Sequence, residues 1–133
     1  MEDSNCIFCQ IVKGKIPCYK IYEDGDYLAF LDIEPYVTGH TMVIPKKHYR
    51  WVWDVKDFDK YMGRVRKIVK HFQEIEGKEM VYATIFGEEV AHAHVHIIPG
   101  FDNRELGNAF RGVRRMGRLN EEEAKKIIKR YGF

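Results

Sequence analysis

The sequence has no uninterrupted run of the roughly 18 apolar residues that a membrane-spanning helix needs. Its first five residues are acidic and lack the basic and apolar regions of a secretory signal peptide. Three cysteines are too few, and odd in number, for a closed disulfide framework. We therefore expect a protein of the reducing cytoplasm with no membrane partner.

The charge balance lacks an excess of either sign, since 22 Lys and Arg residues face 20 Asp and Glu residues and the formal net charge is +2. The protein thus has no overall attraction to nucleic acid, which we do not expect as a partner. The chain also lacks internal repeats and Pro/Gly/Ser-rich linkers. Its 133 residues, 45% of them hydrophobic and 14% aromatic, suit one packed domain over 1–133. We place the core at about 5–100 and a C-terminal arm and helix at about 101–133.

One long helix is the clearest element of the sequence. Its apolar residues recur at helical spacing and form a single stripe, comprising Phe58, Tyr61, Met62, Val65, Ile68, Val69, Phe72 and Ile75. Asp54 or Asp57 can cap its start, and Gly77 ends it.

Two shorter helices are predicted near the ends of the chain. Ser4 or Asn5 can cap a first helix that runs to about Lys13. Asn120 and the three glutamates after it open a last helix. Its inward-facing residues are predicted to be Ile127, Ile128 and Tyr131.

Five segments have the composition and the bounds of β-strands. They are 18–24, 27–33, 40–44, 81–86 and 91–98. Asp24-Gly25 indicates a hairpin turn between the first two. Because strands and helices do not alternate, a doubly wound parallel sheet fits poorly. The pattern predicts an α+β fold with an antiparallel five-stranded sheet, one long helix and short terminal helices.

Three histidines alternate with apolar residues in the last predicted strand, at positions 92, 94 and 96. Alternate residues of a strand point to one face and lie about 6.6 Å apart, so the three imidazoles would form a row. The row is internal and its opposite face is apolar, which argues against an engineered tag. From these residues alone, a structural metal site and a catalytic site are about equally supported.

A row of imidazoles can perform phosphoryl chemistry. A neutral imidazole nitrogen is a nucleophile near neutral pH, because its ordinary pKa is about 6.5. Attack on phosphorus gives a covalent phosphohistidine and divides one difficult displacement into two easier ones. A neighbouring histidine can hold phosphate oxygens or protonate the leaving group.

The segment His92-Ala93-His94-Val95-His96-Ile97-Ile98 fits the pattern His-φ-His-φ-His-φ-φ, in which φ is apolar. Two further segments, 29–35 and 39–48, and the opening Cys6-Ile7-Phe8-Cys9 complete the match. In this order they resemble the histidine triad (HIT) family of nucleotide hydrolases, in its zinc-binding bacterial or archaeal branch. The resemblance covers about residues 6–99 and implies a HIT-like fold and a homodimer.

The resemblance implies a role for each matched residue. His94 would attack the α-phosphorus, His96 would hold phosphate oxygens, and His40 would lie beside the nucleophile. Asp32 would accept hydrogen bonds from the ribose hydroxyls, which suits a carboxylate. The base would be enclosed by Phe8, Ile11, Ile16 and Phe30, with Ile33 nearby. Without the resemblance, these apolar residues would be interpreted as ordinary core.

The function that the resemblance implies is a nucleotidyl hydrolase or transferase with a nucleotidyl-histidine intermediate. Its substrate would be an AMP-containing purine nucleotide, either a nucleoside phosphoramidate or a dinucleoside polyphosphate. The alternative is a zinc-stabilised nucleotide-binding regulatory protein with little catalysis. Nucleic-acid binding through the arginine-bearing tail ranks third, since the overall charge is nearly neutral.

The spacing of Cys6 and Cys9 is that of half a zinc knuckle. A redox Cys-x-x-Cys would need a thioredoxin-like strand before a helix, which this region lacks, and two ordinary buried cysteines are the other alternative. The resemblance implies that His48 and His92 complete a Cys₂His₂ set. Such a zinc site is closed and therefore structural. Cys18 is expected to be a small apolar residue.

The connection before the histidine row departs from the family pattern. Most members carry Asn-x-Gly and then Gly-Gln there, whereas this chain has Gly87-Glu88-Glu89-Val90. The missing amides normally contact phosphates or the leaving group, and an anion in their place would repel phosphate. One or two tail arginines could replace them, unless they lie on a solvated surface. The candidates are Arg104, Arg111, Arg114, Arg115 and Arg118.

Overall fold

A five-stranded antiparallel sheet forms the centre of the protein. The computed structural model describes residues 5–101 and 115–133. The strands are β1 Lys20–Glu23, β2 Tyr27–Leu31, β3 Thr41–Pro45, β4 Val81–Thr84 and β5 Val95–Pro99. Their order is β1-β2-β3-β5-β4, and every neighbouring pair is antiparallel. This is the predicted α+β fold with a five-stranded antiparallel sheet. Four strands are shorter than predicted, and β3 is shifted by one residue.

The long helix was predicted correctly. It is α2, Phe58–Glu76, with Asp57 at its N-cap and Gly77 in the left-handed conformation at its C-cap. Half of the predicted stripe is buried, and the other residues pack partly buried against the same core. Ala93, Val95 and Ile97 belong to this core too, so the apolar face of the histidine segment lies on the α2 side of the sheet.

The terminal helices are α1, Ile7–Val12, and α3, Glu121–Tyr131. The predicted cap of α1 was wrong: its N-cap is Cys6, whose Sγ accepts a hydrogen bond from the backbone N–H of Cys9. Asn120 caps α3 as predicted, with its side chain accepting from the N–H of Glu123. Tyr131 of α3 is buried, whereas Ile127 and Ile128 are half-buried against the core.

The two faces of the sheet carry different cores. Ala29 and Val43 face α2, whereas Phe30 and Met42 face α1 in a second cluster of buried residues. The period of two along β2 and β3 produces this division, because successive side chains point to opposite faces. The α1 face is also the face of the histidine side chains. Within residues 5–101 and 115–133, none of the helices has the length and apolar character needed to cross a membrane.

Candidate functional site

A cavity of about 680 Å³ lies between α1 and the sheet. All six residues assigned to nucleotide binding line it: Phe8, Ile11, Ile16, Phe30, Asp32 and Ile33. Phe8 and Phe30 meet edge to face, with ring centroids 5.4 Å apart. His94 and His96 also line the cavity, so an apolar compartment and two imidazoles share one space.

His94 is held in one tautomer by the backbone. Its Nδ1 lies 2.7 Å from the carbonyl oxygen of His92 and must donate, since a carbonyl only accepts. Nε2 is therefore the unprotonated nitrogen of the neutral ring. Burial lowers the pKa of His94 below its ordinary value, despite the opposing hydrogen bond to His92. The nucleophilic form of the imidazole is thus the favoured one near neutral pH.

A chain of hydrogen bonds fixes the protonation of the next two histidines. The backbone N–H of Tyr36 donates to Nδ1 of His40 at 3.1 Å, so the proton of neutral His40 is on Nε2. That Nε2 donates to Nδ1 of His96 at 2.8 Å. The proton of neutral His96 is then on its Nε2. His96 therefore presents an N–H donor in the same cavity in which His94 presents a lone pair.

Both rings of this chain are buried, with His40 1% and His96 4% exposed. The pKa of each is lowered to about 3, principally by burial. Repulsion by Arg115 for His40, and by the charged form of His40 for His96, contributes to that value. Tyr36 stacks on His40 with ring centroids 5.4 Å apart. The pair is consequently neutral at physiological pH.

Asp32 is the buried carboxylate of the cavity and is 7% exposed. Its Oδ1 accepts the backbone N–H of Glu34 at 2.9 Å. Its Oδ2 lies 3.2 Å from Nη1 of Arg115 and 3.6 Å from Nε2 of His40. A carboxylate has about four acceptor positions, so these contacts leave capacity for a ligand hydroxyl.

The connection between β4 and β5 forms the rim of the cavity through Phe86, Glu88, Glu89 and Val90. Gly87 there has a φ of +74°, and a Cβ on it would lie 2.6 Å from the Trp51 ring. Arg50 donates to the Gly87 carbonyl at 3.0 Å, and its guanidinium lies 3.8 Å from the Trp51 ring centroid. Arg50 and Trp51 therefore hold the short connection in place at Gly87.

Four side chains beside α1 converge as a candidate metal cluster: Cys6, Cys9, His48 and His92, whose ligand atoms all lie within 4.8 Å of one another. Nδ1 of His92 lies 3.3 Å from Sγ of Cys6 and 3.2 Å from Nδ1 of His48. Nδ1 of His48 is 3.3 Å from Sγ of Cys9. Tetrahedral ligands at zinc lengths would be about 3.3–3.8 Å apart, so the donors fit such an ion closely.

The tautomer of His92 agrees with a ligand role. Its Nε2 donates to the carbonyl oxygen of Pro45 at 2.8 Å, so Nδ1 is unprotonated and faces the cysteines. The ring is fully buried. Two buried thiols and two imidazoles, with one imidazole fixed by a carbonyl, are a donor set suited to zinc.

A second group, Asp32, His40 and His96, also converges within 4.8 Å. Its two imidazole nitrogens are 2.8 Å apart, which is a hydrogen-bond distance and shorter than the roughly 3.3 Å between two nitrogens on zinc. We therefore assign this group to the hydrogen-bond chain and not to a metal.

A model of the HIT domain matches residues 13–103 of this chain. The chain belongs to the HIT family. It is 39% identical over 132 residues to an uncharacterized HIT-like protein of Borreliella burgdorferi, covering 91% of this chain and 90% of that one. It is 40% identical over 108 residues to the adenosine 5'-monophosphoramidase hnt1 of Schizosaccharomyces pombe, covering 77% and 79%.

Solved HIT structures share the fold. A zinc-bound histidine triad family protein from Mycobacterium smegmatis superposes with a TM-score of 0.71 at 29% identity, covering 94% of this chain and 91% of that one. The HIT assignment thus has support from a family model, from sequence relatives and from structure.

One expectation about the HIT motif needs correction. The row was predicted inside a strand over 91–98, but β5 begins only at Val95, so His92 and His94 precede it. The His94 and His96 rings still lie together, with centroids 4.9 Å apart. His40, expected beside the nucleophile, hydrogen-bonds to His96, and it is close enough to His94 for the charge of one ring to affect the pKa of the other.

Of the tail arginines, Arg115 lines the cavity and Arg118 is exposed. The other three named in the sequence lie outside the described residues. Tyr36, Phe86, Met42 and Cys18 also line the cavity and were not predicted as site residues. Proximity of Tyr36 to the matched Asp32-Ile33-Glu34-Pro35 segment is the signal that could have identified it.

Proposed function

We propose that this HIT protein is a nucleotidyl hydrolase or transferase. It would cleave a nucleoside phosphoramidate or a dinucleoside polyphosphate at the α-phosphate through a nucleotide joined to His94. The observation that carries this proposal is the pair of fixed tautomers, a lone pair on His94 and an N–H on His96, in one cavity with a buried carboxylate.

The reaction follows from these two rings. Nε2 of His94 attacks the α-phosphorus while the bond from phosphorus to the leaving atom breaks. Nε2–H of neutral His96 donates a hydrogen bond to that atom, which takes the proton it needs from water. Water or another acceptor then attacks the same phosphorus and breaks the bond to His94, and its proton passes to water. Both rings end in their starting states.

The cavity suits the nucleoside part of such a substrate. Phe8 and Phe30 offer apolar faces on which a purine can pack, with Ile11 and Ile16 beside them. Asp32 would accept hydrogen bonds from the ribose hydroxyls. The S. pombe relative is named an adenosine 5'-monophosphoramidase, which supports an AMP-containing substrate for this chain.

The test is a single incubation with adenosine phosphoramidate and, separately, diadenosine tetraphosphate, with release of AMP measured by chromatography. The wild type should release AMP from at least one of them. His94→Ala should abolish release while AMP still binds, whereas His71→Ala, a change on α2, should preserve it. Turnover by His94→Ala equal to that of the wild type would exclude the mechanism.

A nucleotide-binding regulatory protein with little catalysis is the second candidate. The observation that favours it is the acidic rim, since Glu88 and Glu89 line the cavity where the family pattern has amides. In that case AMP would bind, and neither substrate would release AMP.

We also propose that Cys6, Cys9, His48 and His92 hold one zinc ion, which would serve as a structural cross-link between α1, the end of β3 and the segment before β5. The zinc-bound relative from M. smegmatis supports the choice of metal. We propose a homodimer on the family resemblance, and sedimentation should give about twice the chain mass of 15.8 kDa.

A further inference from the structure

Arg115 comes from the C-terminal segment, yet its side chain lines the cavity. The segment is fixed to the loop after β2 by two backbone hydrogen bonds. The N–H of Met116 donates to the Pro35 carbonyl at 2.8 Å, and that of Leu119 donates to the Ile33 carbonyl at 2.7 Å. The guanidinium is therefore held in place by the backbone on which it sits.

The guanidinium makes three hydrogen bonds within the described structure. Nη1 donates to Oδ2 of Asp32 at 3.2 Å and to the carbonyl of Glu34, and Nη2 donates to Oε1 of Glu89 at 3.0 Å. Its carbon lies 4.5 Å from the ring centroid of Tyr36. These bonds use three of the five N–H groups of an arginine.

The two carboxylate partners differ in how firmly they are held. The side chain of Asp32 is 9% exposed and is fixed by further contacts to Glu34 and His40. The side chain of Glu89 is 74% exposed, and an ion pair to such a side chain contributes little stability. A ligand anion could therefore replace Glu89 at Arg115 without disturbing Asp32.

The charges around the cavity make Arg115 the natural contact for an anion. Among the described residues that line it, Asp32, Glu34, Glu88 and Glu89 are acidic and Arg115 is the one Lys or Arg. Arginine also binds phosphate oxygens through two parallel N–H groups. The charge of Arg115 contributes to the lowered pKa of His96, after burial and the other histidines, so the guanidinium lies close to the reacting end of the site.

We propose that Arg115 binds an anionic group attached beyond the α-phosphorus, such as a β-phosphate, at the position that the Glu89 carboxylate occupies in this structure. This role rests on the proposed function and makes it more specific. Arg115 would distinguish substrates with an anionic leaving group from substrates with a neutral one, and Glu89 would be its counter-ion in the empty site.

The experiment is calorimetric titration with adenosine, with AMP, and with the α,β-methylene analogue of ADP, which resists cleavage. Wild-type protein should bind the diphosphate about tenfold more tightly than AMP, the typical effect of a hydrogen bond to a charged group. Arg115→Met should remove this gain and leave adenosine affinity unchanged. Glu89→Gln should increase the gain, because it removes the competing anion. Arg118→Met, an exposed arginine of the same segment, is the matched control.

Each other outcome is decisive. If Arg115→Met lowered the affinity for all three ligands by the same factor, the residue would act only through Asp32, and the proposal would be overturned. AMP binding with no gain from the second phosphate in the wild type would also overturn it, and would leave the proposed function standing. Failure of the wild type to bind AMP at all would remove the proposed function and this role together.

Discussion

His96 is the last member of a hydrogen-bond chain that begins at the backbone of Tyr36 and passes through His40. Each donor in the chain determines the tautomer of the next ring, so a backbone N–H on one loop decides which nitrogen of His96 carries a proton. The carbonyl of His92 fixes the other tautomer in His94, with the proton on Nδ1 and the lone pair on Nε2. The proposed nucleophile and the proposed hydrogen-bond donor therefore receive their tautomers from backbone groups, whose own protonation does not vary.

His96→Leu tests the hydrogen-bond donor role at this residue. Leucine cannot donate a hydrogen bond to the leaving atom, so kcat should fall by about 10²–10³-fold for an amine leaving group. The loss should be much smaller for a p-nitrophenyl ester of AMP, whose leaving group departs as a stable anion. Steady-state kinetics on both substrates measures the difference, with His71→Leu as the control. Equal losses on the two substrates would assign His96 a positioning role only.

At the scale of an element, the connection from β4 to β5 depends on Gly87. A Cβ there would meet the Trp51 ring at 2.6 Å, whereas a Cβ on Gly77, which also has positive φ, would meet nothing within 4 Å. Gly87→Ala should therefore displace the rim residues and lower kcat/KM even under conditions in which the variant is fully folded. Gly77→Ala carries the backbone strain alone, about 1–2 kcal/mol, and should keep wild-type kcat/KM.

The comparison of these two variants by urea unfolding and by AMP-release kinetics separates strain from the Trp51 contact. If both variants lost stability and activity in the same proportion, the rim would have no role of its own.

Helix α1 has only six residues, and its N-cap is a cysteine of the candidate metal cluster. Phe8 lies between Cys6 and Cys9, and its ring centroid is 5.3 Å from that of His94. A short helix is marginal by itself, so removing a metal from the cluster should loosen both α1 and the apolar wall.

We expect one equivalent of zinc per chain by elemental analysis, and a chelator should lower both Tm and AMP affinity. Cys9→Ser should abolish zinc binding, whereas Cys18→Ser should preserve it. Protein that purifies without metal and keeps its Tm in chelator would contradict the zinc site.

The sequence predicted an element well where a periodic pattern extends over many residues, as in α2. It predicted poorly the residue at which an element begins or ends. The row at 92–96 was predicted as a continuous strand because apolar and polar residues alternate there. Only Val95–Pro99 forms ladder bonds, because His92 and His94 are engaged by Pro45, the cysteines and each other. Tertiary contacts overrode the local pattern at the candidate site.

The candidate site residues come mainly from the family motif. The motif gives His94, His96 and Asp32, but it carries no information about the tautomers, which depend on the carbonyl of His92 and the N–H of Tyr36. Nor could it single out Arg115 among five tail arginines, because that choice depends on backbone pairing with the loop after β2. Long-range pairing of this kind has no signature in local sequence.

At the scale of the whole molecule, two buried neutral histidines link stability to pH. His40 and His96 have a pKa of about 3 when folded, principally because of burial, against 6.5 in the unfolded chain. Between these values the unfolded chain binds more protons, so their contribution to stability is complete above pH 6.5 and is lost as the pH falls toward 3.

The free energy of unfolding should therefore decrease below pH 6.5, by up to about 1.4 kcal/mol per pH unit for each ring. Urea unfolding between pH 7.5 and pH 4.5 measures the slope, and His40→Asn should reduce it. His71→Asn is the matched control. An identical slope in His40→Asn and the wild type would show that other groups cause the acid sensitivity.

His92 connects the candidate metal cluster to His94. Its ring lies in the cluster beside Cys6, and its backbone carbonyl accepts a hydrogen bond from His94. A redesign that omits the proposed ion should therefore alter the cysteines or His48 first. A replacement at position 92 would move the peptide plane that orients the proposed nucleophile. In the proposed reaction, an ion away from the phosphorus would thereby affect the direction of attack.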